Sequence, residues 1–387
     1  MSTVSVTNLK NAASASNNLV LDSSGNTTAA GTVAMGSSFL RNRIINGAMV
    51  IDQRNAGASV TVNSQNDTYS VDRFLGAGQT TDGVYTLQRS TIAPSGFANS
   101  LLATVTTADA SVGVSQYYFL AQKIEGFNVS DFGFGAASAS TITLSFWVRS
   151  SVTGTYGGAL ANGAYNRSYP FTYTISSANT WEQKIVTIVG DTTGTWLTDN
   201  GIGLRVYWGL GVGSDNAGTA GSWTARGNAS ATGCVNWIST NGATFYITGV
   251  QLEVGTVATP FERRLYGTEL ALCQRYCLVW RPQVNSGATS FPTIATGYAS
   301  STSGANGIVQ TPVALRATPT ISFSGAIFFA AGNANGTLVS VPTVYEASNS
   351  SFWFQTTYSG TPFATGDGGI LYCGNSTSNV FIASAEL

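Results

Sequence analysis

Three aspartates in turn-rich loops are the residues of this chain whose type and setting best suit chemistry. Asp191, Asp199 and Asp215 each lie among Gly, Ser, Thr and Asn residues. Two carboxylates held about 5 to 10 Å apart across a cleft would suit hydrolysis of a polysaccharide, and loop carboxylates would also suit a structural Ca²⁺ ion. Aspartates in such loops also cap turns through the local backbone. The sequence favours turn capping, and we expect no enzyme activity.

The composition removes the other common catalytic groups. The chain has 387 residues and no histidine, and histidine is the commonest general base and the commonest metal ligand. Every arrangement that depends on a Ser–His or Cys–His pair is therefore excluded.

The cysteines do not form the pair of pairs that is typical of a zinc site. The four are Cys234, Cys273, Cys277 and Cys373. We interpret them as small buried apolar groups, because free cysteine is among the most buried residue types. The sequence predicts no cofactor, and it leaves open both a structural Ca²⁺ ion and the identity of any other metal.

Aromatic residues in loops are the candidates for ligand contact. A sugar ring has an apolar C–H face that stacks on an exposed aromatic ring, and nearby Asn, Asp or Gln side chains can bind its hydroxyls. Trp147, Trp181 and Trp208 lie in or beside predicted strands, which favours plain packing. Two loop tryptophans, two aromatic residues of a late strand and two polar neighbours are the candidate contacts: Trp196, Asp199, Asn200, Trp223, Trp353 and Tyr358.

The low charge of the chain limits the kinds of partner that it is expected to bind. Charged residues make up 9% of the chain, against roughly a quarter in typical soluble domains. The formal net charge is -1, and Lys and Arg are scattered, so no basic patch predicts binding to nucleic acid. No apolar run reaches the ~18 residues that span a bilayer, and the first residues do not resemble a signal peptide. We expect a protein made in a cytosol and not inserted into a membrane.

Short alternating runs between turn residues predict an all-β chain in four segments. Residues 1–38 form a polar stem or attachment segment with one small hairpin. Residues 39–262 form a two-sheet jelly roll, residues 263–281 a connecting helix, and residues 282–387 a smaller β-sandwich. These segments supply the framework that must position the candidate residues.

Two stretches carry the clearest periodicity. In residues 141–148, Ile142, Leu144, Phe146 and Val148 share one face of a predicted strand, as the period of two requires. In residues 264–279, an apolar stripe at helical spacing predicts a helix. Its members are Leu265, Leu272, Cys273, Tyr276 and Cys277, with Glu269 outside the stripe.

Four charged residues cluster near the start of the predicted jelly roll. They are Asp52, Arg54, Asp72 and Arg73. They could connect domains or subunits. They could equally satisfy backbone groups and one another near the first strands, because buried charges must be paired.

Several short motifs, in this order, resemble recurrent signatures of bacteriophage tail-fibre and related virion proteins. The first group resembles the opening of a carbohydrate-binding-module-like jelly roll, the second its closing strand, and the third a distal domain. The motifs are residues 42–54 (NRIINGAMVIDQR) and 69–74 (YSVDRF), then 245–255 (FYITGVQLEVG), 258–262 (ATPFE) and 273–276 (CQRY), then 312–320 (PVALRATPT) and 385–387 (AEL).

The resemblance implies a homotrimeric subunit of a virion tail appendage that is assembled in the host cytoplasm. It implies docking to other tail proteins through the N-terminal segment and attachment to a host cell-surface glycan. A head-decorating or purely structural virion fibre is the alternative, since similar domains occur there. The chain has no heptads and no collagen-like glycine repeat, which fits a short fibre or a tip subunit.

Overall fold

The computed structural model describes residues 40–78, 82–282, 291–332, 334–348 and 350–387, together with the backbone of five short strands outside those ranges. The chain divides into two compact units, residues 1–41 and 42–387. Within the described residues, no helix is long and apolar enough to cross a bilayer.

The first unit contains a three-stranded antiparallel sheet. Its strands are β1 (Asn8–Leu9), β2 (Leu19–Leu21) and β3 (Thr27–Ala29), in the order β1-β2-β3. Leu19 pairs with Ala29, and Leu21 pairs with Thr27. The rest of the predicted stem lies outside the described residues, so its role in attachment stays a prediction.

The first domain of the second unit is a sandwich of two six-stranded antiparallel sheets. The back sheet has the order β13-β10-β17-β8-β7-β4, and the front sheet has the order β12-β11-β14-β9-β6-β5. A short parallel pair, β15 and β16, stands apart. The strands are β4 (Val60–Val62), β5 (Thr68–Tyr69), β6 (Leu75–Gly78), β7 (Val84–Ser90), β8 (Ser100–Thr107), β9 (Tyr117–Glu125), β10 (Ile142–Ser150), β11 (Gly154–Ala161), β12 (Ser168–Ile175), β13 (Glu182–Ile188), β14 (Ile202–Val212), β15 (Ala217–Gly218), β16 (Ser230–Ala231) and β17 (Thr244–Val254). Short 3₁₀ turns occupy Gly126–Asn128, Ser130–Phe132, Ser214–Asn216 and Trp237–Ser239.

The core of the first domain lies between its two sheets. Strand β10 places Ile142, Leu144, Phe146 and Val148 in this core with no exposed surface, so the predicted inward face is confirmed. Trp208 is also fully buried there, as its position in a predicted strand indicates. The antiparallel sandwich sheets confirm the prediction of a predominantly β chain.

The second domain follows a single α-helix, α1 (Tyr266–Gln274), which is the one α-helix in the described ranges. A three-stranded sheet, β18-β29-β23, packs against a seven-stranded sheet, β25-β24-β28-β21-β22-β27-β26. The strands β19 and β20 pair separately. The strands are β18 (Cys277–Trp280), β19 (Val284–Asn285), β20 (Ala288–Thr289), β21 (Thr293–Ala299), β22 (Gly304–Gln310), β23 (Thr320–Ser324), β24 (Ile327–Ala331), β25 (Ala334–Thr337), β26 (Thr343–Ala347), β27 (Ser351–Thr357), β28 (Gly368–Cys373) and β29 (Val380–Ser384).

The helix is shorter than the apolar stripe predicts. It ends at Gln274, and Cys277 to Trp280 pair with β29 instead. Backbone pairing with a distant strand outweighs the local helical pattern, because propensity is a weak preference that tertiary contacts override. Glu269, placed outside the stripe, is only 8% exposed and accepts a hydrogen bond from the Asn46 amide, whereas Leu265 is 81% exposed.

Both interpretations of the early charge cluster hold, each for two of its residues. Arg54 and Arg73 form ion pairs with Glu386 of the second domain, the first at 2.9 Å. Asp52 accepts bonds from local backbone amides, and Asp72 accepts bonds from Gln53. The junction between the domains is therefore held by charges within one chain.

All four cysteines were predicted to be buried apolar groups, and the structure confirms this for three of them. Cys273, Cys277 and Cys373 are free and buried, and Cys234 is half-buried. Burial raises the pKa of the Cys277 thiol to about 12 and that of Cys373 to about 11. These thiols stay protonated at neutral pH, which leaves them weakly nucleophilic.

Candidate functional site

The two loop tryptophans that the sequence singles out lie together. Trp196 and Trp223 pack edge to face, with ring centroids 5.4 Å apart, and both contact Phe134. Each indole N–H is already used: Trp196 donates to the Thr193 carbonyl and Trp223 to the Val189 carbonyl, at 3.1 and 2.7 Å. We call Phe134, Trp196 and Trp223 the indole cluster, and it packs against the core of the first domain.

The two polar candidates beside Trp196 bond to other parts of the protein. The Asp199 carboxylate accepts a hydrogen bond from the Gly201 amide at 2.8 Å, which is a turn cap. The Asn200 side chain donates to the Arg316 carbonyl at 3.1 Å, and the Asn200 carbonyl accepts from the Arg316 guanidinium. Asn200 therefore joins the two domains.

The two candidates of the second domain lie in or directly after strand β27, and their surroundings differ. Tyr358 directly follows β27, is 3% exposed, and accepts a hydrogen bond from Thr356 at 2.7 Å. Trp353 lies within β27, is half-buried, and packs on Tyr345 with centroids 4.8 Å apart. The structure does not bring these two residues together with the indole cluster into one site.

Of the other loop acids, Asp191 has a clear structural partner. It is 2% exposed, and its carboxylate forms two bonds to the Arg167 guanidinium, at 2.7 and 2.8 Å. It also caps the turn at Thr193. Among the described residues no group of three or more His, Cys, Asp or Glu side chains is placed to hold a metal ion.

A different feature, a groove on the outer face of the front sheet, combines half-buried rings with polar groups. Its volume is about 290 Å³. Aromatic, charged and amide side chains line it: Gln65, Asp67, Leu75, Tyr117, Phe119, Ala121, Lys123, Tyr165, Arg205, Tyr207 and Asn216.

The alternation of strand β9 produces this groove. Tyr118, Leu120 and Ile124 face the core and are buried, so Tyr117, Phe119, Ala121 and Lys123 face outward. The neighbouring strands β6 and β14 contribute Leu75, Arg205 and Tyr207 beside them. One strand thus serves the core with one face and the groove with the other.

Ala121 is the one alanine among the described residues that line the groove. It belongs to a small apolar cluster with Leu75 and Tyr207 outside the main core. Ala121 is the register partner of Tyr207 on the neighbouring strand, and its small side chain leaves room between the rings.

The rings of the groove form a continuous set. Phe119 stacks on Tyr117 at 5.3 Å and meets Tyr207 edge to face at 4.9 Å. Tyr165 meets Tyr207 at 6.0 Å. Tyr165 has a φ of 55°, in the left-handed region that side chains other than glycine seldom adopt, and such strain is concentrated at functional sites.

The tyrosine hydroxyls of the groove stay protonated at neutral pH. Burial raises the pKa of Tyr207 to about 12, and burial also raises the pKa of Tyr117. A protonated phenol both donates and accepts hydrogen bonds. The groove therefore offers ring faces together with neutral hydroxyl groups.

Two cations and one anion line the groove. Lys123 forms an ion pair with Asp67, and its ammonium group also donates to the Leu387 carbonyl at 2.8 Å. Burial lowers the pKa of Lys123, and the Asp67 carboxylate acts in the opposite direction. Arg205 donates to the Gly163 carbonyl at 3.1 Å, and its Nε is buried without a hydrogen-bond partner.

The groove was not predicted from the sequence. Tyr117, Phe119 and Tyr207 lie within β9 and β14, and aromatic residues in strands are expected to pack in a core. The signal was present in residues 117–124, where aromatic residues occupy both faces of one strand. A strand with rings on its outer face as well as its inner face indicates a second surface.

Comparisons with known proteins find structural likeness only. No protein-family model matches the chain, and no curated protein matches its sequence. A putative sugar-binding protein from Bacteroides thetaiotaomicron aligns at 11% identity over 55% of this chain and 100% of its own, with a TM-score of 0.33. A family 11 carbohydrate-binding module from Clostridium thermocellum, in complex with a β-1,3-1,4-mixed-linked tetrasaccharide, aligns at 10% identity over 53% and 100%, with a TM-score of 0.27.

A phage protein is also among the similar structures. The enzymatically active domain of bacteriophage CBA120 tailspike protein 4 aligns at 13% identity over 55% of this chain, with a TM-score of 0.30. The matched part of the chain spans 21% of that protein. TM-scores at this level support no conclusion about activity.

Proposed function

We propose that the groove on the front sheet binds a glycan. The observation that carries this proposal is the set of linked rings, Tyr117, Phe119, Tyr165 and Tyr207, which line the groove together with the small side chain of Ala121. Apolar ring faces stack on the C–H faces of pyranose rings, and a few convergent polar groups fix the orientation of the ligand.

Each part of the groove has a role in this binding. Phe119 and Tyr117 are half-buried, so their rings combine a fixed position with an accessible face. Phe119 is the central ring, because it contacts Tyr117 on one side and Tyr207 on the other. Asn216 also lines the groove. One N–H of its amide donates to the Ser115 carbonyl at 2.9 Å, and its second N–H and its carbonyl oxygen can bond to sugar hydroxyls.

The groove binds its glycan without cleaving it. Glycosidases use a pair of carboxylates that flank the scissile bond. Asp67 is the one carboxylate among the described residues that line the groove, and it is paired with Lys123. Recognition is therefore the role that the lining supports best.

The protein carrying this groove is proposed to be a receptor-binding subunit of a phage tail fibre that works as a homotrimer. The ordered tail-fibre-like motifs and the low charge of 9% support this assignment. The mass of the purified chain by light scattering should be three times 40.2 kDa, and antibody-labelled virions should show the protein on the tail. A monomer at micromolar concentration, or label on the head, would contradict the assignment.

Truncation of the central ring tests the glycan proposal. Phe119→Ala should weaken binding of the purified full chain to the best ligand on an array of bacterial surface oligosaccharides by about 10- to 30-fold, which is a loss of about 1.5 to 2 kcal/mol. The physical reason is the lost stacking surface. Isothermal titration calorimetry would measure the change.

A matched control uses an exposed ring elsewhere. Tyr266 of α1 is 64% exposed and lies outside the groove, so Tyr266→Ala should leave affinity unchanged. Equal affinity of Phe119→Ala and the unaltered chain for every bound oligosaccharide would place the binding site outside the groove and refute the proposal.

A further inference from the structure

We propose that the glycan bound in this groove carries a carboxylate, as a uronic acid does, and that Arg205 is the residue that binds it. This inference rests on the proposed function and specifies its ligand class. It follows from how the two cations of the groove are placed and from which of them has a charged partner.

The two cations stand side by side on adjacent strands. Arg205 of β14 is the direct register partner of Lys123 of β9, and both side chains line the groove. Like charges directly opposite each other across strands are destabilising. A sheet that keeps such a pair on one face therefore gains from an anion bound beside it.

The protein supplies that anion to Lys123 only. Asp67 pairs with Lys123, and the side chains of the two are 33% and 12% exposed. The carbonyl of Leu387 accepts a further hydrogen bond from the same ammonium group. Lys123 is thus neutralised and held in place.

Arg205 is left without a carboxylate partner among the described residues. Its guanidinium has five N–H donors. One donates to the Gly163 carbonyl at 3.1 Å, the guanidinium also interacts with the Tyr207 hydroxyl, and the buried Nε has no hydrogen-bond partner. Its neighbour Tyr207 contributes a neutral hydroxyl. The lining consequently has one more positive charge than negative.

A carboxylate is the anion whose shape best matches the remaining N–H donors of Arg205. The planar guanidinium presents its donors as a fork that matches the two oxygens of a carboxylate. A glycan that stacks on Phe119 would place a ring substituent close to Arg205, since Phe119 contacts Tyr207, and Tyr207 and Arg205 lie two residues apart on the same face of β14. A neutral sugar would stack equally well but would leave the charge uncompensated.

The test compares uronic acid oligosaccharides with their methyl esters, which lack the negative charge and carry one added methyl group on each carboxyl group. Galacturonate, glucuronate and mannuronate oligomers and their esters, with a matched panel of neutral hexose oligomers, would be titrated against the full chain. The best-bound free acid should bind about 10-fold or more tightly than its ester, because a hydrogen bond to a charged group contributes more than one to a neutral group. Raising the salt concentration should narrow this difference.

Two substitutions separate this inference from the proposed function. Arg205→Gln should abolish the preference for the acid while retaining affinity for the ester, whereas Phe119→Ala should weaken both. Arg149→Gln is the matched control, because Arg149 is a half-buried arginine of β10 in the back sheet that also donates to a backbone carbonyl, at 2.8 Å.

The possible outcomes are distinct. An ester bound as tightly as the acid, with Arg205→Gln indistinguishable from the unaltered chain, would overturn the acidic ligand. If neutral oligomers bind and Phe119→Ala weakens their binding, the glycan proposal holds although the inference of an acidic ligand fails. No binding to any oligomer of the three panels would contradict both.

Discussion

The first domain has two aromatic surfaces that differ in what their polar atoms do. In the indole cluster, both indole N–H groups already donate to backbone carbonyls and the rings pack on one another. In the groove, the rings lie beside the small side chain of Ala121 and beside charged and amide side chains. The difference teaches that a ring in a loop is not by itself a binding surface. A ring face must be accessible, and polar groups must remain available beside it.

Removing a ring from the indole cluster should have the largest effect on stability and none on binding. Trp223 contacts Phe134, Tyr169 and Trp196 and donates one hydrogen bond. Trp223→Ala should lower the free energy of unfolding by about 3 kcal/mol, measured by urea denaturation, while glycan affinity stays unchanged.

Trp223→Phe is the control for that substitution. It keeps a ring but loses the N–H bond to Val189, so it should lower the free energy of unfolding by only about 1 kcal/mol. A Trp223→Ala variant that is fully stable but no longer binds glycan would reverse the comparison and make the indole cluster the site.

The two surfaces should also differ in alkaline solution. Burial raises the pKa of Tyr207 in the folded protein to about 12, against an ordinary value of 10.0. Above pH 10 the unfolded chain therefore binds fewer protons than the folded one, and stability falls as pH rises from 10 to 12. Below pH 10 this contribution is constant. The indole cluster contains no titrating group and should contribute nothing to the slope.

Thermal unfolding between pH 8 and pH 12 would measure this effect. Tyr207→Phe should make the decline shallower, while other buried tyrosines such as Tyr69 and Tyr276, whose pKa burial also raises to about 12, maintain part of it. Trp196→Phe should leave the slope unchanged. An identical slope in Tyr207→Phe would show that Tyr207 ionises as freely in the folded chain as in the unfolded one.

The fold was largely predictable because its strands follow local periodicity. The alternation of residues 141–148 predicted both strand β10 and its buried face. The helix was predicted too long, because residues 277–280 are apolar at a spacing that fits either structure, and their pairing with β29 depends on residues about a hundred positions later. Local pattern cannot contain that information.

The groove was less predictable because it depends on register across strands. Tyr207, Ala121 and Leu75 become neighbours only when β14, β9 and β6 align. The sequence shows that each strand has an outer face, but it does not show which outer residues meet. Trp196 and Trp223, in contrast, were selected because they lie in loops. A loop position does not show whether a ring is exposed, and both rings pack against the core.

The shared carboxylate at the domain junction has a consequence for biosynthesis. Arg54 and its partner Glu386 are 332 positions apart in the chain. A ribosome adds roughly 5 to 20 residues per second, so Arg54 and Arg73 emerge many seconds before the group that neutralises them. In a nascent chain, the first domain therefore has two guanidinium groups without their carboxylate partner until Glu386 has been synthesised.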